Sequence, residues 1–135
     1  MLLHPSDIDD ALEHVQLSLD FSDPMPIECF SVTPHPRFRV SRLGEYDDLS
    51  SWGEWRHGEL ADLSGDALLT EMVGFRGRGW AQQAMLWTPS TMPAIVIVEL
   101  RRDSMIGDGR GRVSFALGMR WKTIPAVMLK QKREC

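Results

Sequence analysis

Residues 93–130, PAIVIVELRRDSMIGDGRGRVSFALGMRWKTIPAVMLK, hold the pattern on which the fold reading turns. Ala94 to Leu100 is β-branched and nearly all apolar, as in a strand covered on both faces. Arg101-Arg102-Asp103 fits a hairpin loop, and Ser104 to Gly107 is the expected return strand. Arg112 to Gly118 reads as a helix. Val113, Ala116 and Leu117 form one apolar stripe and Phe115 and Met119 another, so two sides should be covered, with Gly118 as C-cap. Thr123 to Leu129 is a last strand, and Pro125 suggests its edge or its beginning.

Between return strand and helix lies Asp108-Gly109-Arg110-Gly111-Arg112. Glycines at 107, 109 and 111 let the backbone approach a ligand closely. The first N–H groups of a helix lack intrahelical acceptors, and the helix dipole is positive there. Arg110 and Arg112 can fork onto phosphate oxygens. Phosphate, on a nucleotide or nucleic acid, is the first ligand to consider. Asp108 can orient an arginine, bind a metal or accept a proton. Glu99, at the end of the first strand, offers a magnesium ligand or a salt bridge to Arg101 or Arg102.

Working outward, Ser6 is a candidate cap for a helix carrying Ile8, Ala11, Leu12 and Val15, ending before the turn signals Ser22-Asp23-Pro24. Asp7, Asp9 and Asp10 make that helix start unsuited to an anion. Pro26, Pro34 and Pro36 exclude a helix, leaving Ile27–Val32 and Arg37–Val40 as short strands. Tyr46 to Gly58 reads as an irregular loop whose Trp52 and Trp55 are packing anchors or ligand platforms. Ser64 caps a helix with Ala67, Leu68, Met72 and Val73 on its face. GFRGRG (74–79) then breaks it, either as a helix connection or as a second phosphate contact through Arg76 and Arg78. Trp80 to Leu86 is another short helix.

A chain of 135 residues fits one domain and can bury about two-thirds of its unfolded surface without a disulfide or metal. Cys29 and Cys135 form no disulfide framework or zinc pair, which favours a reducing cytoplasm. No apolar run is long enough to span a bilayer, so a soluble protein without membrane partners is expected. His4, His14, His35 and His57 make no HxxH or HExxH pair, and neither a Walker A nor a nucleophile-elbow sequence occurs. Net charge is −4, split as −10 over residues 1–100 and +6 over residues 101–135. The acidic part could meet a basic protein partner, and the basic part gives the turn a local positive field. One α+β domain over 1–135 is the economical reading.

The order of these parts resembles the N-terminal domain of the ParB/sulfiredoxin-like superfamily. Its members carry a PIVVVE-type strand, a hairpin, a D-G-x-x-R turn, a helix ending in L-G and a K-T-I-P-V-type strand. Here those are residues 93–99, Asp108–Arg112, Ala116-Leu117-Gly118 and residues 122–127. The resemblance implies a small mixed sheet with flanking helices, a core over 61–135 and a family-specific extension over 1–60. It implies binding of CTP or ATP, with magnesium, through Gly109, Arg110, Gly111 and Arg112. By position Asp108 becomes the candidate catalytic group and a metal ligand; on residue chemistry alone Glu99 is a second metal ligand and Arg76 and Arg78 are further phosphate contacts. NTP hydrolysis or phosphoryl transfer in a phage or plasmid accessory protein follows at the family level. Arg110 stands where partition proteins have Glu, and Gly111 where sulfiredoxins have the reactive Cys, so neither chemistry is expected by those routes. A non-enzymatic protein-interaction module and a magnesium-dependent DNA nuclease or DNA-interacting accessory are the competing expectations.

Overall fold

The computed structural model describes residues 1–19, 25–49, 55 and 57–135. Helix α1 (Pro5–Ser18) is followed by strand β1 (Phe30–Arg39), a 3-10 helix (Val40–Glu45), helices α2 (Gly65–Arg76) and α3 (Arg78–Ala84), strands β2 (Ile95–Glu99) and β3 (Ser104–Asp108), helix α4 (Arg110–Gly118) and strand β4 (Thr123–Gln131). The four strands form one mixed sheet in the order β1-β4-β2-β3. β2 pairs antiparallel with β3 and parallel with β4, and β4 pairs antiparallel with β1.

The apolar run in β2 is buried on both faces, and its period of two divides the core. Val96 and Val98 join Ala11, Leu12 and Val15 of α1 on one face. Ile95 and Ile97 join Met72, Ala81, Val113 and Phe115 of the three other helices on the opposite face. The domain is therefore a small α+β unit of three layers. α1 comes so close to β3 that a Cβ on Gly107 would lie 2.8 Å from the Ala11 Cβ.

Several expectations are corrected by this arrangement. α1 begins at Pro5, with His4 rather than Ser6 at the cap and no side-chain cap bond. Proline at the first helical turn loses no hydrogen bond, since its N–H would be unpaired there. The two short strands expected around Pro34 and Pro36 are one ten-residue strand. Both prolines are tolerated because β1 is an edge strand. Of the two places Pro125 suggested, it takes the beginning: it is near the start of β4, which is not an edge but lies between β1 and β2. Its missing N–H falls where the β1 register shifts, between His35 and Phe38, and one residue before pairing with β2 begins at Ala126. The Ser22–Pro24 turn and Trp52 lie outside the described residues. Trp55 is buried and packs against Phe75 and Trp80, so it is a packing anchor.

Cys29 and Cys135, expected to stay apart, form a disulfide with a Cα–Cα distance of 5.5 Å. The pairing of β1 with β4 brings them together, through Phe30 opposite Gln131 and the Lys132 N–H bonded to the Cys29 carbonyl. Cysteine usage therefore no longer argues for a reducing compartment. Among the described residues, no helix is long and apolar enough to cross a membrane.

Candidate anion site at the start of helix α4

Gly109 precedes α4 at φ 98°, a left-handed conformation natural to glycine. Its carbonyl accepts the first helical bond, from Val113 N–H at 3.0 Å. The N–H groups of Arg110, Gly111 and Arg112 thus come before the first intrahelical acceptor, and Gly109 at the cap brings no side chain to them. They border a cavity of about 430 Å³, within the size range of small-ligand sites. Residues 107–112 form one wall; Arg76, Trp80, Asp10 and His14 form the others.

Arg76 is the last residue of α2, and Gly77 at φ 88° turns the chain into α3. This carries the Arg76 guanidinium over the face of Trp80, 5.7 Å from the ring centre, and against Gly111. A Cβ on Gly111 would lie 2.7 Å from the Arg76 Cζ. The glycine therefore makes room for a cation from a distant part of the chain. Arg78, two residues on, is exposed and does not line the cavity.

The two arginines of the turn do different things. Arg110 is half exposed, with its guanidinium 4.0 Å from an Asp47 carboxylate oxygen. Arg112 is only 17% exposed. Its Nη1 donates to the Ala94 carbonyl at 2.8 Å and faces Asp7 at 3.5 Å and Asp108 at 3.8 Å. The facing Oδ2 atoms of both carboxylates are buried without a hydrogen bond, so their attraction to Arg112 is Coulombic rather than directional. Arg112, expected to fork onto phosphate, lines the cavity and also ties α1, the start of β2 and the turn together.

The acidic first part of the chain turns inward here. Asp7 and Asp10 of α1, with Asp47, lie beside the basic turn, and none of the three was expected at the site. The i, i+3, i+7 spacing of Asp7, Asp10 and His14 was the available signal, since it places them along one side of α1. Glu99 and Asp108, each expected as a candidate magnesium ligand, stand apart on the hairpin. Glu99 pairs with Ser104 and Asp108 with Val96, which puts them about 10 Å apart along the hairpin. Arg101 bonds the Lys132 and Arg133 carbonyls rather than Glu99. Among the described residues no cluster of three or more His, Cys, Asp or Glu has a metal-binding arrangement.

Burial holds the Asp108 carboxyl above the ordinary carboxylate range. Arg112 and the Gly109 N–H oppose the shift, while the charges of Asp7 and Asp10 add to it. A carboxyl with a raised pKa holds its proton more tightly when folded. Its contribution to stability is thus present at low pH and is lost as pH rises from the ordinary Asp value through the folded one. Asp108→Asn is expected to flatten the stability profile as pH rises from about 4, the ordinary Asp value, and to match or exceed the wild type at neutral pH. Thermal melts across that range check this; a profile unchanged by the substitution contradicts it.

The chain matches no protein-family model, no curated protein and no solved structure.

Proposed function

We propose that this cavity binds the phosphate groups of a nucleotide, and that the chain is a small nucleotide-binding domain of ParB/sulfiredoxin-like type. The observation that carries the reading is Arg76 lying against Gly111. It sets a guanidinium beside the first N–H groups of a helix, and Arg110 stands on the same wall. Donors of these two kinds, converging from separate elements, suit a phosphate oxyanion. The order of strand, hairpin, turn, helix and strand supports the same family. Asp108, with its raised proton affinity, is the group suited to proton transfer if turnover occurs.

Calorimetry with CTP, ATP, ADP and GTP, with and without magnesium, tests the proposal. Saturable binding of at least one nucleotide is expected, weakened about tenfold by Arg76→Ala, or roughly 1.4 kcal/mol. Gly111→Ala separates binding from folding. The three atoms nearest the new methyl belong to the movable end of Arg76, and alanine favours a helix. Stability should hold or rise slightly while affinity falls by a similar factor. Absence of binding at millimolar nucleotide, or binding indifferent to both substitutions, would remove the proposal.

A further inference from the structure

α4 has a second cavity at its other end, well separated from the Gly/Arg turn. Its volume is about 1030 Å³. Val40, Leu49, Leu117 and Trp121 give it apolar walls, and Arg39, His57, Arg120 and Lys122 stand around it. Among the described residues no carboxylate lines it, in a chain whose net charge is −4. Among the described residues, the side chains of Arg39, Arg120 and Lys122 enter no ion pair. Three permanent cations beside an apolar wall without a counter-charge are complementary to a ligand that brings its own anion.

The backbone at Arg120 points the same way. Trp121 N–H bonds the Ala116 carbonyl and Arg120 N–H the Leu117 carbonyl, the pattern that closes a helix with a left-handed residue. Glycine usually stands there; this chain has arginine, at φ 58°, and no other non-glycine described residue has positive φ. Gly118, expected as the cap, is the last helical residue; a Cβ there would lie 2.8 Å from Leu60. The Arg120 guanidinium lies over Gly58, itself at φ 84°, where any Cβ would overlap it. Gly58 and Leu60 N–H groups bond the Leu117 and Gly118 carbonyls, so the last turn of α4 has acceptors in use without the arginine side chain. Arg120 is thus held beside the cavity in a conformation that glycine would adopt without strain. Such local strain is a feature of ligand sites.

We propose that this second cavity binds a small amphipathic anion: an apolar chain or ring system bearing a carboxylate or sulfonate-like head. The apolar body would lie against Leu117, Val40 and Trp121, with the head toward Arg120 and Lys122. This site is independent of the nucleotide reading and uses none of its residues.

The probe is 8-anilinonaphthalene-1-sulfonate, titrated by fluorescence, with neutral N-phenyl-1-naphthylamine as the uncharged control. One saturable site is expected. Its affinity should fall about fivefold or more in Arg120→Gly and in Lys122→Gln, and stay unchanged in Gly111→Ala. Arg120→Gly should melt at the same temperature as wild type or higher, because the strain is relieved; if it does not fold, Lys122→Gln supplies the reading. Dodecanoate displacing the dye more strongly identifies a chain-like ligand, and 1-naphthoate doing so identifies a ring. Displacement by neither, no saturable dye binding, equal affinity for the neutral control, or affinity within about twofold of wild type in the folded cation variants would each overturn the proposal.

Discussion

Arg112→Ala is expected to destabilise the domain by about 3 kcal/mol or more at neutral pH, the range measured when one partner of a buried ion pair is removed. Nη1 of Arg112 serves three oxygens at once: the Ala94 carbonyl and the carboxylates of Asp7 and Asp108. Asp7 and Asp108 are largely buried, with side chains 10% and 26% exposed. Without the guanidinium, two carboxylates would face each other with no cation between them. The carbonyl would also lose a charged donor. Urea unfolding at pH 7 measures the loss, and the loss should shrink in acid as the Asp108 carboxyl, whose proton affinity is raised, becomes neutral. Asp108→Asn added to Arg112→Ala should recover part of it, which a double-mutant cycle reads as coupling. An unfolding midpoint equal to wild type would show that Arg112 does not tie these elements.

Gly109→Ala is the second large effect, at about 2–4 kcal/mol, because two penalties fall on one residue. The backbone there has φ 98°, which alanine adopts only under strain. The new Cβ would also lie 2.7 Å from the Cγ2 and 3.2 Å from the Cα of Ile95. Ile95 is fully buried between β4 and the helical layer, so it has no space to yield. Gly79→Ala, in the other Gly/Arg segment, is the control. No atom comes within 4 Å of a Cβ there, and the residue is within α3. It should leave stability unchanged or raise it by up to about 1 kcal/mol. Equal unfolding midpoints for the two variants would contradict the account of the turn. Since Gly109 sets the start of α4, its substitution should also lower nucleotide affinity more than Gly111→Ala does.

Much of this architecture was legible in residues 93–130. Apolar runs bounded by turns, and a helix with two apolar sides, describe local periodicity, which needs no knowledge of the rest of the chain. β2, β3, α4 and β4 lie where that periodicity places them, with ends moved by one or two residues. The Gly/Arg turn was legible as well, because glycine spacing and a helix start are local features. Arg76 was legible as a candidate, but not which of Arg76 and Arg78 would reach the turn. The phase of α2 and the angle set at Gly77 decided that.

What the sequence determined by itself was the run of elements from β2 to β4 and the place where a helix starts next to glycine. What only the tertiary structure decided was which charges meet there. Asp7 and Asp47 are remote in sequence from Arg112 and Arg110, yet packing of α1 and of the segment after β1 brings them to the turn. The same holds for Cys29 and Cys135, joined by a strand pairing across almost the whole chain. The physical reason is that periodicity specifies each element's own faces, whereas the partner of a charge or a thiol depends on how separate faces are buried against one another.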